Sequence, residues 1–190
     1  MLKRTPVYDF HVNAGARMVE FAGWEMPIVY RSIIDEHEQT RKSGSIFDVS
    51  HMGRLHFTGK DAMRFLDRIV TRKITDMVVG QSRYSLVCNA GGGILDDVIV
   101  SRDSKHWLMV CNASNREKLL KHFNEVRRSD DWDFDLADQT EATVMVAIQG
   151  PNARACRVVQ DRSPGFGKTQ TRTDQSRRAK DRASRPRRYA

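Results

Sequence analysis

Two adjacent carboxylates, Asp96 and Asp97, interrupt the apolar run from Ile94 to Val100 and are the most conspicuous candidates for chemistry in this sequence. An acid inside an apolar strand is costly to bury unless it has partners or a task. Successive strand residues point to opposite faces, so the two carboxylates cannot act together as a glycosidase-type pair. One is expected to face solvent or a cleft and the other the opposite layer. On spacing alone, two acids on an exposed sheet edge or accepting turn amides is the favoured reading. His51 lies beside Ser50 and Asp48, but neighbours on an extended chain face apart, and triad members are assembled from distant positions. No triad is therefore read there. The other histidines (His11, His37, His56, His106, His122) show no metal-ligand spacing, and no metal is expected. Gly165-Phe-Gly-Lys-Thr169 resembles the end of a phosphate-binding loop, yet Arg162 stands where that loop needs its first glycine.

The elements that must hold these residues read as α+β, with an antiparallel sheet and packed helices. Ser32 is a cap-like residue ahead of a helical stretch that stops near Gly44. Arg54–Thr58 alternates as a half-buried strand. Met63, Phe65, Leu66, Ile69 and Val70 recur at helical spacing. Tyr84, Leu86 and Cys88 alternate ahead of the turn Asn89–Gly93, and Ile94–Val100 returns as a strand. Trp107–Cys111 is a further strand. Ser114 and Glu117 form a capping-box pattern before a helix carrying Leu119, Leu120, Phe123 and Val126, with Asn115 also a candidate cap. Ala142–Gln149 reads as the last strand.

Composition divides the chain at about residue 160. The net charge of +8 suggests a nucleic-acid partner until it is located. Residues 161–190 carry ten Lys or Arg against three Asp and so hold seven of the eight excess charges, which leaves residues 1–160 nearly neutral. This tail has almost no apolar residues and is expected to be disordered. It would bind phosphate backbones nonspecifically and with strong salt dependence, but it lacks interleaved aromatics, so no specific nucleic acid is expected. No run of about 18 apolar residues offers a membrane span, and the amino terminus lacks the apolar stretch of a secretory signal. Cys88, Cys111 and Cys156 are scattered and odd in number, which suits a reducing cytoplasm.

Three stretches, Phe21-Ala-Gly-Trp-Glu-Met-Pro27, Ile46-Phe-Asp-Val-Ser-His-Met-Gly53 and Gly92-Gly-Ile-Leu-Asp-Asp97, occur in an order and at separations that resemble the amino-terminal, folate-binding part of the aminomethyltransferase family, the T-protein of the glycine cleavage system. Tyr84, Asn112-Ala-Ser-Asn115 and Ile148-Gln-Gly-Pro151 also fit, and the likeness spans about residues 4–160. The resemblance implies transfer of a one-carbon unit from an aminomethyl-lipoyl carrier protein (the H-protein) to tetrahydrofolate, with release of ammonia and no metal. It implies Asp97 as the catalytic, folate-holding acid, with Tyr84, Asn112, Met52 and Val110 as further contacts to the pterin. Tyr84 offers a flat face and a hydroxyl, Asn112 a donor and an acceptor, and Met52 and Val110 apolar walls, although core packing is the simpler account of the last two.

Family members are considerably longer, and this chain leaves the pattern near residues 156–161. The abrupt break reads as a shifted frame or truncated gene, and leaves open whether the product is active. Alternatives are a demethylating enzyme of the same superfamily, an iron–sulfur assembly paralogue that binds folate, and a nonspecific nucleic-acid binder acting through its tail.

Overall fold

The computed structural model describes residues 1–128 and 130–153. The basic tail assigned to residues 161–190 lies outside the described residues. Ten strands and four α-helices follow one another in the described part. The short strand β1 (Lys3–Arg4) leads into α1 (Tyr8–Asn13), then the hairpin of β2 (Arg17–Phe21) and β3 (Trp24–Val29). Its loop is Ala22-Gly23, with φ of 52° and 82°. Positive φ at both central residues is what a two-residue turn matching strand twist requires, and this explains the small pair at that point of the first motif. β1 runs parallel to β3, and β2 antiparallel.

Next come α2 (Ile33–Lys42), β4 (Ser45–Asp48), β5 (Gly53–Thr58) and α3 (Ala62–Ile69). Ser32 Oγ accepts the Asp35 N–H at 3.3 Å, the expected cap of α2. The hairpin of β6 (Ser82–Cys88) and β7 (Ile94–Arg102) is turned by Asn89, whose Oδ1 accepts the N–H groups of Gly91 and Gly93 at 3.0 and 2.8 Å. β8 (Trp107–Cys111), α4 (Arg116–Arg127), β9 (Asp135–Asp138) and β10 (Val146–Gln149) complete the order.

The main sheet has five antiparallel strands in the order β6-β7-β8-β5-β9, and β4 pairs with β10 in a separate two-stranded sheet. One face of the main sheet is packed. Leu55, Phe57, Val87, Val98, Val100 and Met109 meet Phe65, Leu66 and Ile69 of α3 and Leu119 and Phe123 of α4, with Trp132 and Phe134 closing the cluster. Phe65 lies 4.4 Å from Phe134 and 5.4 Å from Trp132 between ring centroids. Side chains of this size contribute about 1.5–3 kcal/mol each when fully buried, so this layer fixes the sheet that carries Asp96 and Asp97.

Two local expectations differ from the structure. The helix after β8 starts at Arg116 without a side-chain cap, because Ser114 lies exposed in a 3-10 turn (Ala113–Asn115) and Asn115 directs its amide elsewhere. The last strand is shorter than Ala142–Gln149. Thr143 and Met145 are drawn out of it by Arg54, which donates to Thr143 Oγ1 at 2.7 Å and Thr143 O at 3.0 Å, and by Ser50 Oγ, which accepts the Met145 N–H at 3.0 Å.

Candidate functional site

The register of the main sheet decides which side chains share a face. Tyr84 stands opposite Ile99 and Leu86 opposite Asp97, Ile99 opposite Val110, and Val110 opposite Arg54. Directly opposed residues of antiparallel strands project to the same side. Tyr84, Leu86, Asp97, Ile99, Val110 and Arg54 therefore line the face turned away from α3 and α4. Tyr84 is 52% exposed, Asp97 is exposed, and Ile99 and Val110 are half-buried. This is a largely apolar surface carrying one exposed carboxylate.

The two acids separate as strand alternation requires. Asp96 is 3% exposed on the packed side, whereas Asp97 is open. Asp96 Oδ2 accepts the Asn112 backbone N–H at 2.9 Å, and its Oδ1 accepts Asn112 Nδ2 at 2.8 Å and Asn115 Nδ2 at 2.5 Å. Those bonds compensate the burial of a charged group. Asn112 Nδ2 also donates to Asp97 Oδ1 at 2.8 Å and approaches Asp97 O at 3.3 Å. Tyr84 titrates above its ordinary range, because partial desolvation and the Asp97 carboxylate beside its hydroxyl both oppose an anion there.

Of the five residues expected at the site, Tyr84, Asp97 and Val110 share this face, and Asn112 joins it at the end of β8. Asn112 does not offer both of its groups freely. Its amide nitrogen is committed to the two carboxylates, which leaves the carbonyl oxygen as the part turned from them. Met52 is half-buried and precedes Gly53, which pairs with Cys111, so it stands at the same end of the sheet as Asn112. A depression of ≈ 160 Å³ at the β7–β8 turn, lined by Arg102, Asp103, Lys105, His106 and Trp107 among others, includes none of the five.

The polar residues of the second motif turn out to be framework. Asp48 reaches the distant His11, which the sequence reading did not connect to it. Its Oδ2 meets His11 Nε2 at 3.0 Å and accepts Thr5 Oγ1 at 2.7 Å, while its Oδ1 accepts the Ser50 N–H at 2.8 Å. His11 Nδ1 lies 2.6 Å from the Tyr30 hydroxyl. Burial would raise the Asp48 carboxyl, yet the bonds from Ser50, His11 and Thr5 hold it below the usual carboxylate range. His51 joins no triad. It sits edge-on to Phe21 at 5.5 Å, and burial pushes its imidazole down. Gly53 is required by close approach, since a Cβ there would stand 2.3 Å from Cys111 Sγ.

Arg54 was also missed as an organiser. It is 5% exposed, and its guanidinium donates to the carbonyls of Ser50 (3.0 Å), Met52 (2.7 Å), Thr140 and Thr143 (3.0 Å). The segment that carries Met52 is thereby tied to the chain around residues 140–143. Alternating polar and apolar residues in β5 gave a strand signal but no sign that the arginine would turn inward. Among the described residues, no group of three or more His, Cys, Asp or Glu is arranged to hold a metal ion, and no helix is long and apolar enough to cross a membrane.

Comparison with known proteins agrees with this architecture. The chain is 48% identical over 152 residues to an aminomethyltransferase of Rubrobacter xylanophilus, covering 80% of this chain and 40% of that protein. It is 43% identical over 155 residues to the aminomethyltransferase of Thermotoga maritima, covering 80% and 42%. The crystal structure of the glycine cleavage system aminomethyltransferase T from Bartonella henselae superposes with a TM-score of 0.75 at 34% identity, over 82% of this chain and 42% of that one. The chain thus spans about 40% of the length of the curated relatives it matches. Residues 7–164 match the family model described as the GCVT N-terminal domain, and the chain belongs to that family.

Proposed function

We propose that residues 1–160 carry part of a reduced-folate site of a glycine-cleavage aminomethyltransferase, with Asp97 as its acid, and that residues 161–190 form no part of it. The complete reaction would move a one-carbon unit from an aminomethyl group on the lipoyl arm of a carrier protein to tetrahydrofolate, with ammonia released. Tetrahydrofolate is the acceptor, and the carbon chemistry resides in it rather than in the chain. The chain would contribute position and charge. The Asp97 carboxylate would favour positive charge developing on the pterin nitrogens during transfer. Tyr84 gives the ring a flat contact, and Val110 and Met52 give it apolar walls. The lipoylated carrier protein is the macromolecular partner this reading requires, and a reducing cytoplasm is its setting.

One observation carries the reading: an exposed carboxylate, held by the Asn112 amide, stands on an open sheet face beside Tyr84, Ile99 and Val110. Titration with 5-formyltetrahydrofolate followed by tryptophan fluorescence tests it, with Asp97→Ala as control. Saturable binding that weakens about tenfold or more in the control is expected, the loss of a charge-assisted contact. A folded chain that shows no binding, or equal binding in both, rejects the assignment of Asp97.

A further inference from the structure

Asp96 is buried on the side of β7 opposite the candidate site and has no part in the proposed contacts to the pterin. Its partners do. Both of its oxygens are used, and all three donors come from the Asn112–Asn115 segment that leaves β8. Among the described residues, these donors are all amides. The Asn112 backbone N–H bonds to Asp96 Oδ2 at 2.9 Å, which ties the end of β8 to the Asp96 side chain. The Asn112 side chain is then gripped by Asp96 Oδ1 and Asp97 Oδ1, each at 2.8 Å from Nδ2.

This arrangement also settles which way the amide points. Two carboxylate oxygens converge on one end of the Asn112 side chain, and only the NH₂ group can face both. With one hydrogen for each carboxylate, Nδ2 is a bridge of fixed length between a buried acid and an exposed one. An exposed aspartate on a strand ordinarily has free χ rotation and no preferred aim. Here the aim of Asp97 is set from the far side of its own strand.

We propose that Asp96 is a positioning residue, which fixes the Asn112 amide and through it the orientation of the Asp97 carboxylate toward the reduced folate. The proposal rests on the reading of Asp97 as the folate-site acid, but its structural half can be read without any ligand. Asp96→Asn keeps shape and removes an acceptor, so one of the three donors is left facing an amide.

The test is a double-mutant cycle in the full chain, with binding of 5-formyltetrahydrofolate measured for wild type, Asp96→Asn, Asp97→Asn and the double variant. The expected result is about a tenfold weaker Kd for Asp96→Asn in the wild-type background, shrinking to within about twofold in the Asp97→Asn background. Equal losses in the two backgrounds, or none in either, overturn the proposal, since a merely structural acid would act independently of Asp97. Asn115→Ala leaves both acids in place and serves if Asp96→Asn does not fold. Its smaller loss must show the same dependence on Asp97. Hydrogen exchange of the Asn112 side-chain amide, read by NMR, separates the two readings. If no folate binds but Asp96→Asn speeds that exchange about tenfold or more, the folate assignment fails while the bridge stands. Unchanged exchange overturns the bridge.

Discussion

The five-stranded sheet has two faces built from alternate residues of the same strands, and they differ in burial. On one, Leu55, Phe57, Val98, Val100 and Met109 are buried against α3 and α4. On the other, Tyr84, Asp97, Ile99 and Val110 stand open or half-open. A residue shifted by one position changes face and, with it, the property it governs. Asp96 and Asp97 show this within a single dipeptide: the first is satisfied by three amide donors, and the second keeps most of its carboxylate free. The proposed site would place recognition on the open side and stability on the packed one, and substitutions can be chosen to test that division.

The largest effect is expected at the centre of the packed face. Phe65→Ala removes a fully buried ring in contact with Phe57, Phe123, Trp132 and Phe134, and should cost about 3–5 kcal/mol in chemical denaturation. A loss below about 1 kcal/mol would mean that this layer is not the core. Arg54 sharpens the comparison, because its register assigns it to the open face although it is buried. Arg54→Met leaves the carbonyls of Ser50, Met52, Thr140 and Thr143 without their donor, and a loss of about 2–4 kcal/mol is expected. Limited proteolysis should then cut between residues 139 and 145 in the variant ahead of the wild type.

Asp48→Asn should act more weakly and only above a certain pH. The folded carboxyl titrates below its unfolded value near 3.9, so its contribution is present above that value and is lost as pH falls through the folded pKa. The variant should be about 1–2 kcal/mol less stable at neutral pH, the scale of the charge-assisted bonds from Ser50, His11 and Thr5. Thermal melts across acidic pH should show the gap closing as pH falls below the ordinary aspartate range, while the folded carboxyl takes up its proton. A gap that stays constant to low pH would remove Asp48 as a titrating anchor.

Much of the fold was legible because periodicity is local. Leu55 and Phe57 alternate, Phe65, Leu66 and Ile69 keep helical spacing, and the α+β class follows from the hairpins they imply. The opposite facing of Asp96 and Asp97 was legible for the same reason. The bridge between them was not, since it depends on Asn112 arriving from β8 at the right register, a pairing no short window contains. Arg54 and the His11–Asp48 contact escaped likewise, with partners 86 and 37 positions away in sequence. The short strands β1 and β4 carry no period long enough to read. Asn115 looked like a helix cap because its residue type favours caps, but a buried carboxylate within reach is a stronger claim on its amide than a solvated helix end.

The smallest effect on stability should come from the open face, where the comparison is most easily broken. Tyr84 is 52% exposed, and its hydroxyl faces the Asp97 carboxylate, so Tyr84→Phe should move the melting temperature by no more than about 1 °C. Tyr84→Ala removes the flat contact as well and should weaken 5-formyltetrahydrofolate binding about tenfold, the scale of an aromatic stacking contact. The pair of variants separates ring from hydroxyl. If Phe binds as wild type and Ala does not, the ring is the contact and the hydroxyl serves only Asp97. Should Tyr84→Ala instead unfold the chain while leaving the affinity of the folded fraction intact, the open face would be a second packing surface, and the division of labour between the two sides of the sheet would fail.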